Sequence, residues 1–273
     1  MIKFENTSVY GWEAAIRGMR NPMNSWDKSD SEWKFPCTCL GVNEEPHYCN
    51  NCGYDACSLG DAEYVIGEND LQLMKQLVKA GTDHSKFMRM ITVTVDITAP
   101  LYWWKEFDTY KVGTVRNSCS TMHKIHEKPF ERCDFSFDKV IGGTNAFINH
   151  ILAELNGYRD IYVNTKRKEY WYTLIQLLPS SYNQRATVQI NYAVLRNMYH
   201  GRKNHKLDEW SQGFTEFVES LPYSELITQS YDKTEELSEK HWGECRQIAH
   251  YEDENKRLKE QLESLIKKYE SEM

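Results

Sequence analysis

Between Ile91 and Thr98 the chain alternates apolar and polar β-formers, Ile-Thr-Val-Thr-Val-Asp-Ile-Thr. That period of two predicts a strand with one buried face. Ala99-Pro100 ends it, and Leu101-Tyr-Trp-Trp-Lys-Glu-Phe107 begins a helix with an aromatic face. Upstream, Leu71, Met74, Leu77 and Val78 recur at helical spacing, which predicts an amphipathic helix over 70–80 closed by Gly81. Residues 11–19 read as a short helical or strand-to-helix segment before a turn at Asn21-Pro22. Ile148, Ile151, Leu152 and Leu155 mark helix within 145–178, and Leu178-Pro179 interrupts it. A single helix is expected next, running from Gln189 to Arg202. On it Asn191, Leu195, Met198 and Arg202 share one face, with Asn197 beside them. From about Thr234 the composition turns to Glu and Lys. There Ile248, Tyr251, Asn255, Leu258, Leu262, Leu265 and Tyr269 alternate at spacings of three and four. This heptad seam, with a polar position at Asn255, predicts a self-associating helix; a single surface helix is the alternative.

The 273 residues fit one large domain over 1–230 with an appendage at 231–273, and the alternation beside helical periods predicts an α+β fold with an antiparallel sheet. No apolar run approaches the roughly 20 residues of a membrane span, and Met1-Ile-Lys-Phe-Glu-Asn6 lacks the pattern of a signal peptide. A cytoplasmic protein is therefore expected. The net charge of −7 argues against general affinity for nucleic acid, although one or two placed cations suffice for a nucleotide.

Residues 31–60 break the pattern. They are loop-like and hold Cys37, Cys39, Cys49, Cys52 and Cys57, with His47 nearby, so they read as an insertion. Cys49-Asn-Asn-Cys52-Gly resembles a zinc knuckle, and Cys37 and Cys39 would close a tetrahedral all-thiolate site of structural kind. The Cys-x-Cys half is tighter than the usual gap, and reduced free thiols in a loop remain the alternative.

Asparagine and arginine on a partly apolar helix face cost free energy unless something accepts their hydrogen bonds. A cofactor would serve, and so would a neighbouring loop. A second polar stretch, Lys111 to His123, concentrates hydroxyls, an amide and cations where a loop can meet a phosphate or ring, though most such stretches are ordinary loops. Cys119 lacks a nucleophile signature and reads as a buried inert thiol. His123, His126, His200 and His205 form no recognisable dyad and read as surface or capping residues.

The order of these features resembles the flavin-dependent thymidylate synthases. The likeness runs from Ala14-Ala-Ile-Arg17 through Leu77-Val-Lys-Ala-Gly81 and the strand into Ala99-Pro-Leu-Tyr102. It ends on Leu178-Pro179, twelve residues before Asn191, with Asn191, Asn197 and Arg202 at the family's spacing of six and five. The resemblance implies FAD as cofactor, NADPH and methylenetetrahydrofolate as co-substrates, a dUMP-like nucleotide and a homotetramer. It implies Asn191 and Asn197 at the flavin and Arg202 at the nucleotide. Lys111 and Asn117 join the flavin set, and Ser120 and Arg116 the nucleotide set. The family signature, Arg-His-Arg-x-x-Ser-x-Asn-Glu-x-Ser-x-Arg-Tyr, survives here only as Asn117 and Ser120, with Lys111 near its basic cluster. Ser118 stands at its glutamate, Met122 at a nucleotide-binding arginine, and Ile175 at another. The implied activity is one-carbon transfer, methyl or hydroxymethyl, with no protein nucleophile. The alternative is an inactive nucleotide-binding or assembly protein on the same fold.

Overall fold

The computed structural model describes residues 2–34 and 63–230. In chain order they form β1 (Lys3–Tyr10), α1 (Trp12–Arg20), β2 (Glu32–Lys34), β3 (Glu63–Val65), α2 (Glu68–Lys79), β4 (Thr92–Pro100), α3 (Leu101–Phe107) and β5 (Thr114–Ser118). Then follow α4 (Asn145–Thr165), α5 (Lys168–Leu177), β6 (Asn183–Asn191), α6 (Tyr192–Arg202), α7 (Thr215–Glu219) and α8 (Glu225–Thr228). Cys37, Cys39, Cys49 and Cys52, expected as zinc ligands, and the heptad seam lie outside the described residues. Among the described residues no cluster of His, Cys, Asp or Glu is built to hold a metal, and no helix is long and apolar enough to cross a membrane.

Four strands make one antiparallel sheet in the order β1-β4-β6-β5. In β4 the alternation works as expected: Val93, Val95, Ile97 and Ala99 are buried, while the threonines and Asp96 face out. β6 repeats it with Ala186, Val188 and Ile190 inward. Burial of each large aliphatic contributes about 1.5–3 kcal/mol. Against that face pack Ala15 and Ile16 of α1, Met74 and Val78 of α2, Trp103 and Trp104 of α3, and Leu195 and Met198 of α6. The outer face is polar. There Asp96 accepts from Thr187 at 2.6 Å, Arg185 at 2.8 Å and Asn6 at 2.9 Å, and these bonds hold its carboxyl well below the usual range.

The strand over 183–191 corrects the sequence expectation. Gln189, Ile190 and Asn191 belong to β6, and the helix begins only at Tyr192. β5 was likewise expected as loop. β1 leads into α1 through Gly11, whose φ of +93° and close approach to Met90 (a Cβ would stand 2.1 Å from its carbonyl oxygen) admit no side chain.

Two devices tie the periphery down. Short strands β2 and β3 pair at the root of the insertion. Beneath them the buried Asp70 carboxylate receives Arg20 Nε at 2.6 Å and the hydroxyls of Ser29 and Ser31 at 2.6 Å. At the other end, buried Arg196 of α6 donates through Nη1 to the carbonyls of Ile227 at 2.9 Å and Gln229 at 2.6 Å, fastening the exit of α8. His200 Nε2 meets the same Ile227 carbonyl at 3.1 Å, a capping histidine as expected. A second, smaller core of Ile125, Phe130, Phe135, Leu155 and Leu174 joins α4 and α5 to the loop before them.

Candidate functional site

Where β4 begins and β6 ends, the outer face of the sheet carries an open groove of about 340 Å³. Thr92, Gln189 and Asn191 come from the two central strands, Gly113 and Thr114 from the start of β5, and Arg89 from the turn before β4. Asn191 is the last residue of β6 and the N-cap of α6: its Oδ1 accepts from the Val194 amide at 3.0 Å. The cap fixes the amide plane and leaves Nδ2 without a partner among the described residues. Gly113 closes the groove against it. With φ at +82°, a Cβ there would stand 2.9 Å from Asn191 Nδ2 and 3.0 Å from Val194 Cγ2, so only glycine fits.

The basic candidates sit elsewhere, on both sides of the C-terminal end of α3. Arg202 pairs with Glu106 at 2.8 Å, donates from Nε to the Tyr110 hydroxyl at 3.0 Å, and lies over the Tyr110 and Trp210 rings. Arg116 pairs with Asp108 at 2.8 Å, reaches the Gln184 side-chain oxygen at 2.5 Å, and lies 3.9 Å over the Trp104 ring. Both guanidiniums are held flat on aromatic walls, and both already carry a carboxylate. Beneath them Trp103 and Trp210 stack at 4.4 Å. Trp210 comes from a π-helical stretch, Glu209–Phe214, whose Glu209 accepts from the Tyr102 hydroxyl. Burial, with that carboxylate beside it, pushes the Tyr102 phenol far up.

The remaining candidates are spread out. Asn197 is exposed on α6 and does not line the groove. Asn117 is exposed on β5 opposite Thr187, and Lys111 is exposed two residues before Gly113. Ser120 Oγ accepts from the His123 amide at 3.0 Å and shapes the turn after β5. Cys119 is exposed, which corrects the buried thiol expected for it. Only its backbone is anchored, to the Arg185 carbonyl at 2.8 Å and the Gln184 side chain at 2.7 Å, so the thiol points outward. Sequence reasoning missed Arg89 and Gln189 in the groove and the two carboxylates that hold the arginines. The pairing of Gln189 became visible only once β6 was a strand.

No family model and no curated protein matches the sequence. Solved structures do match. A flavin-dependent thymidylate synthase from Helicobacter pylori, complexed with FAD and dUMP, is 14% identical and superposes with a TM-score of 0.56 over 85% of this chain and 99% of that one. A second structure of the enzyme from Helicobacter pylori with FAD and dUMP is 14% identical, with a TM-score of 0.55 over 83% and 96%. The chain has the fold of a flavin-dependent thymidylate synthase. Ile175 packs against the second core. Met122 is half exposed and its carbonyl accepts from Trp171 Nε1 at 2.9 Å, which ties the turn after β5 to α5.

Proposed function

We propose that the chain is a divergent flavin-dependent thymidylate synthase that transfers a one-carbon group from methylenetetrahydrofolate to dUMP or a similar pyrimidine nucleotide. The observation that carries this reading is the groove at the capped Asn191, on a fold shared over 85% of the chain with an FAD- and dUMP-bound synthase. The donors there fit a flavin. Asn191 Nδ2, the Gln189 amide and Arg89 present N–H groups to ring carbonyls or phosphate, and Gly113 lets the backbone come close. FAD, when bound, supplies the redox chemistry. The chain's residues bind and orient, and none is required as a nucleophile. Asn197, Asn117 and Lys111 complete the flavin set, with neighbouring subunits of a homo-oligomer, a tetramer by the resemblance, closing the site. Arg202, Arg116 and Ser120 take the nucleotide. A dianionic phosphate competes with the single charge of Glu106 for Arg202, and the Tyr110 and Trp210 rings keep the guanidinium in place during the exchange.

Purified protein incubated with FAD is expected to gain a flavin absorption band; protein that stays colourless and shows no thermal shift with dUMP overturns the proposal. Arg202→Ala should weaken dUMP binding at least tenfold, about 1.4 kcal/mol, with the assembly mass unchanged. Thermal-shift titration beside light scattering checks both halves, and undiminished binding would remove Arg202 from the site. A second reading keeps the fold without the chemistry. It is favoured by the ion pairs already holding Arg116 and Arg202, and by Ile175 and Met122 standing where the resemblance places arginines. Tritium release from labelled dUMP with folate, NADPH and FAD counts against it.

A further inference from the structure

The turn from α4 into α5 carries Lys166, Arg167 and Lys168 in succession, all exposed. Each lies on a tyrosine ring: Lys166 is 5.7 Å from the Tyr162 centroid, Arg167 5.2 Å from Tyr170, and Lys168 5.2 Å from Tyr172. Tyr172 is 47% exposed, and Trp171 stands edge-on to it at 5.0 Å. Arg167 pairs with Glu169, but Lys166 and Lys168 have no carboxylate partner among the described residues.

Helix stability accounts for Lys166, the C-cap of α4, where a cation is favoured, but not for the next two residues. Arg167 is the N-cap of α5 and Lys168 its first residue, with no side-chain cap. Cations there oppose the positive end of the helix dipole, where an anion is favoured. The rings give the three cations an aromatic backing at 5.2–5.7 Å, each contact contributing about 0.5–1 kcal/mol at an exposed site. Positive charge on a backbone track beside open aromatic faces is the combination that recognises a flexible polyanion with stackable bases.

We propose that the α4–α5 turn is a docking surface for single-stranded nucleic acid. Phosphates meet Lys166 and Lys168, and a base stacks on Tyr172. A duplex hides its base faces, and an acidic peptide offers few rings to stack, so neither uses the tyrosines. The net charge of −7 confines the contact to this patch and makes it short, weak and sensitive to salt.

The test is fluorescence anisotropy of a labelled oligothymidylate titrated with the full chain at low salt. Saturable binding is expected, weakening with salt at a log–log slope of about −1.4 to −2, as two or three phosphate contacts require. Lys166→Glu/Lys168→Glu should weaken it at least tenfold, and Tyr172→Ala about fivefold or more. All three side chains are exposed, so thermal unfolding should not change. Lys79→Glu, exposed at the end of α2, should retain wild-type affinity. No saturable binding, equal loss with Lys79→Glu, or full binding by the double variant would overturn the proposal. Equal affinity for duplex, an unchanged Tyr172→Ala, or tighter capture by phosphatidylserine vesicles would overturn the single-strand assignment in favour of a plain anionic surface.

Discussion

Asp70→Ala is expected to destabilise the fold by roughly 3–5 kcal/mol, because it strands the buried Arg20 guanidinium without its charged partner. The thermal midpoint should fall on the order of 10 °C. Asp70 is fully buried and Arg20 is 4% exposed. Arg20 Nε and Nη2 both reach Asp70 Oδ1 at 2.6 Å, and Oδ2 takes Ser29 and Ser31. Arg20 Nη1 donates to the Ser25 carbonyl at 3.2 Å and Nη2 also to the Lys28 carbonyl at 3.0 Å. Asp30 continues the network by accepting from the Asn69 and Asp70 amides at 2.9 and 3.1 Å, which caps α2. The effect also has a pH signature. Burial alone would raise the Asp70 carboxyl, but the bonds from Ser29, Ser31 and Arg20 outweigh it and the net shift is downward. A lowered carboxyl contributes stability above the unfolded value near 3.9, and loses it as pH falls through the folded value. The gap in midpoint between wild type and Asp70→Asn should therefore narrow below about pH 4. A gap that stays constant from pH 7 to pH 3 would show that the charge on Asp70 contributes nothing.

Trp210→Ala is the second large effect, about 3–5 kcal/mol from lost packing and the cavity left behind. Trp210 is fully buried, stacked on Trp103 at 4.4 Å and edge-on to Phe214 at 5.1 Å. Its indole nitrogen has no acceptor among the described residues, so Trp210→Phe removes no hydrogen bond and should cost less than half as much. Arg202 lies over the same ring, so Trp210→Ala should also loosen the guanidinium and, on the nucleotide role proposed for Arg202, weaken dUMP binding in parallel with stability. Chemical denaturation of the three proteins, with dUMP titrated into each, separates the two consequences. A phenylalanine variant as unstable as the alanine would place the effect on the indole rather than on volume.

How far these arrangements were legible depended on how many neighbours each element has. β4 sits between two strands with one face buried, so its alternation is unbroken and its limits were readable to within two residues. α2 and α3 were readable for the same reason, since each lays one apolar side on the core. β1 and β5 lie at the sheet edges and need little burial; Val115 and Asn117 of β5 are exposed. β6 was hidden by its junction with α6. Ile190 and Asn191 fit the helical period that starts at Tyr192, and that masked the inward Ala186, Val188 and Ile190. The spacing of Asn191, Asn197 and Arg202 was real, but it spans a strand end, an exposed position and a helix end. The carboxylate on Arg202 was beyond reach, because Glu106 lies 96 residues away and meets it only where α3 and α6 come together; Asp108 is eight residues from Arg116 and faces it across the turn between α3 and β5.

Strand order also governs how the chain reaches this state. Lys3 pairs with Thr98, Thr92 pairs with Asn191, and among the described residues β5 pairs with β6 alone. Every ladder in the main sheet is therefore distant in sequence, which gives a high contact order and slow folding. On the ribosome β1 stays unpaired until β4 emerges, and β4 keeps an open edge until β6 follows. The insertion adds little to this burden, since doubling a loop costs only about 0.6 kcal/mol in closure entropy. Its length is nearly neutral for the sheet, whereas the late arrival of β6 sets the pace at which the edges are protected from other chains.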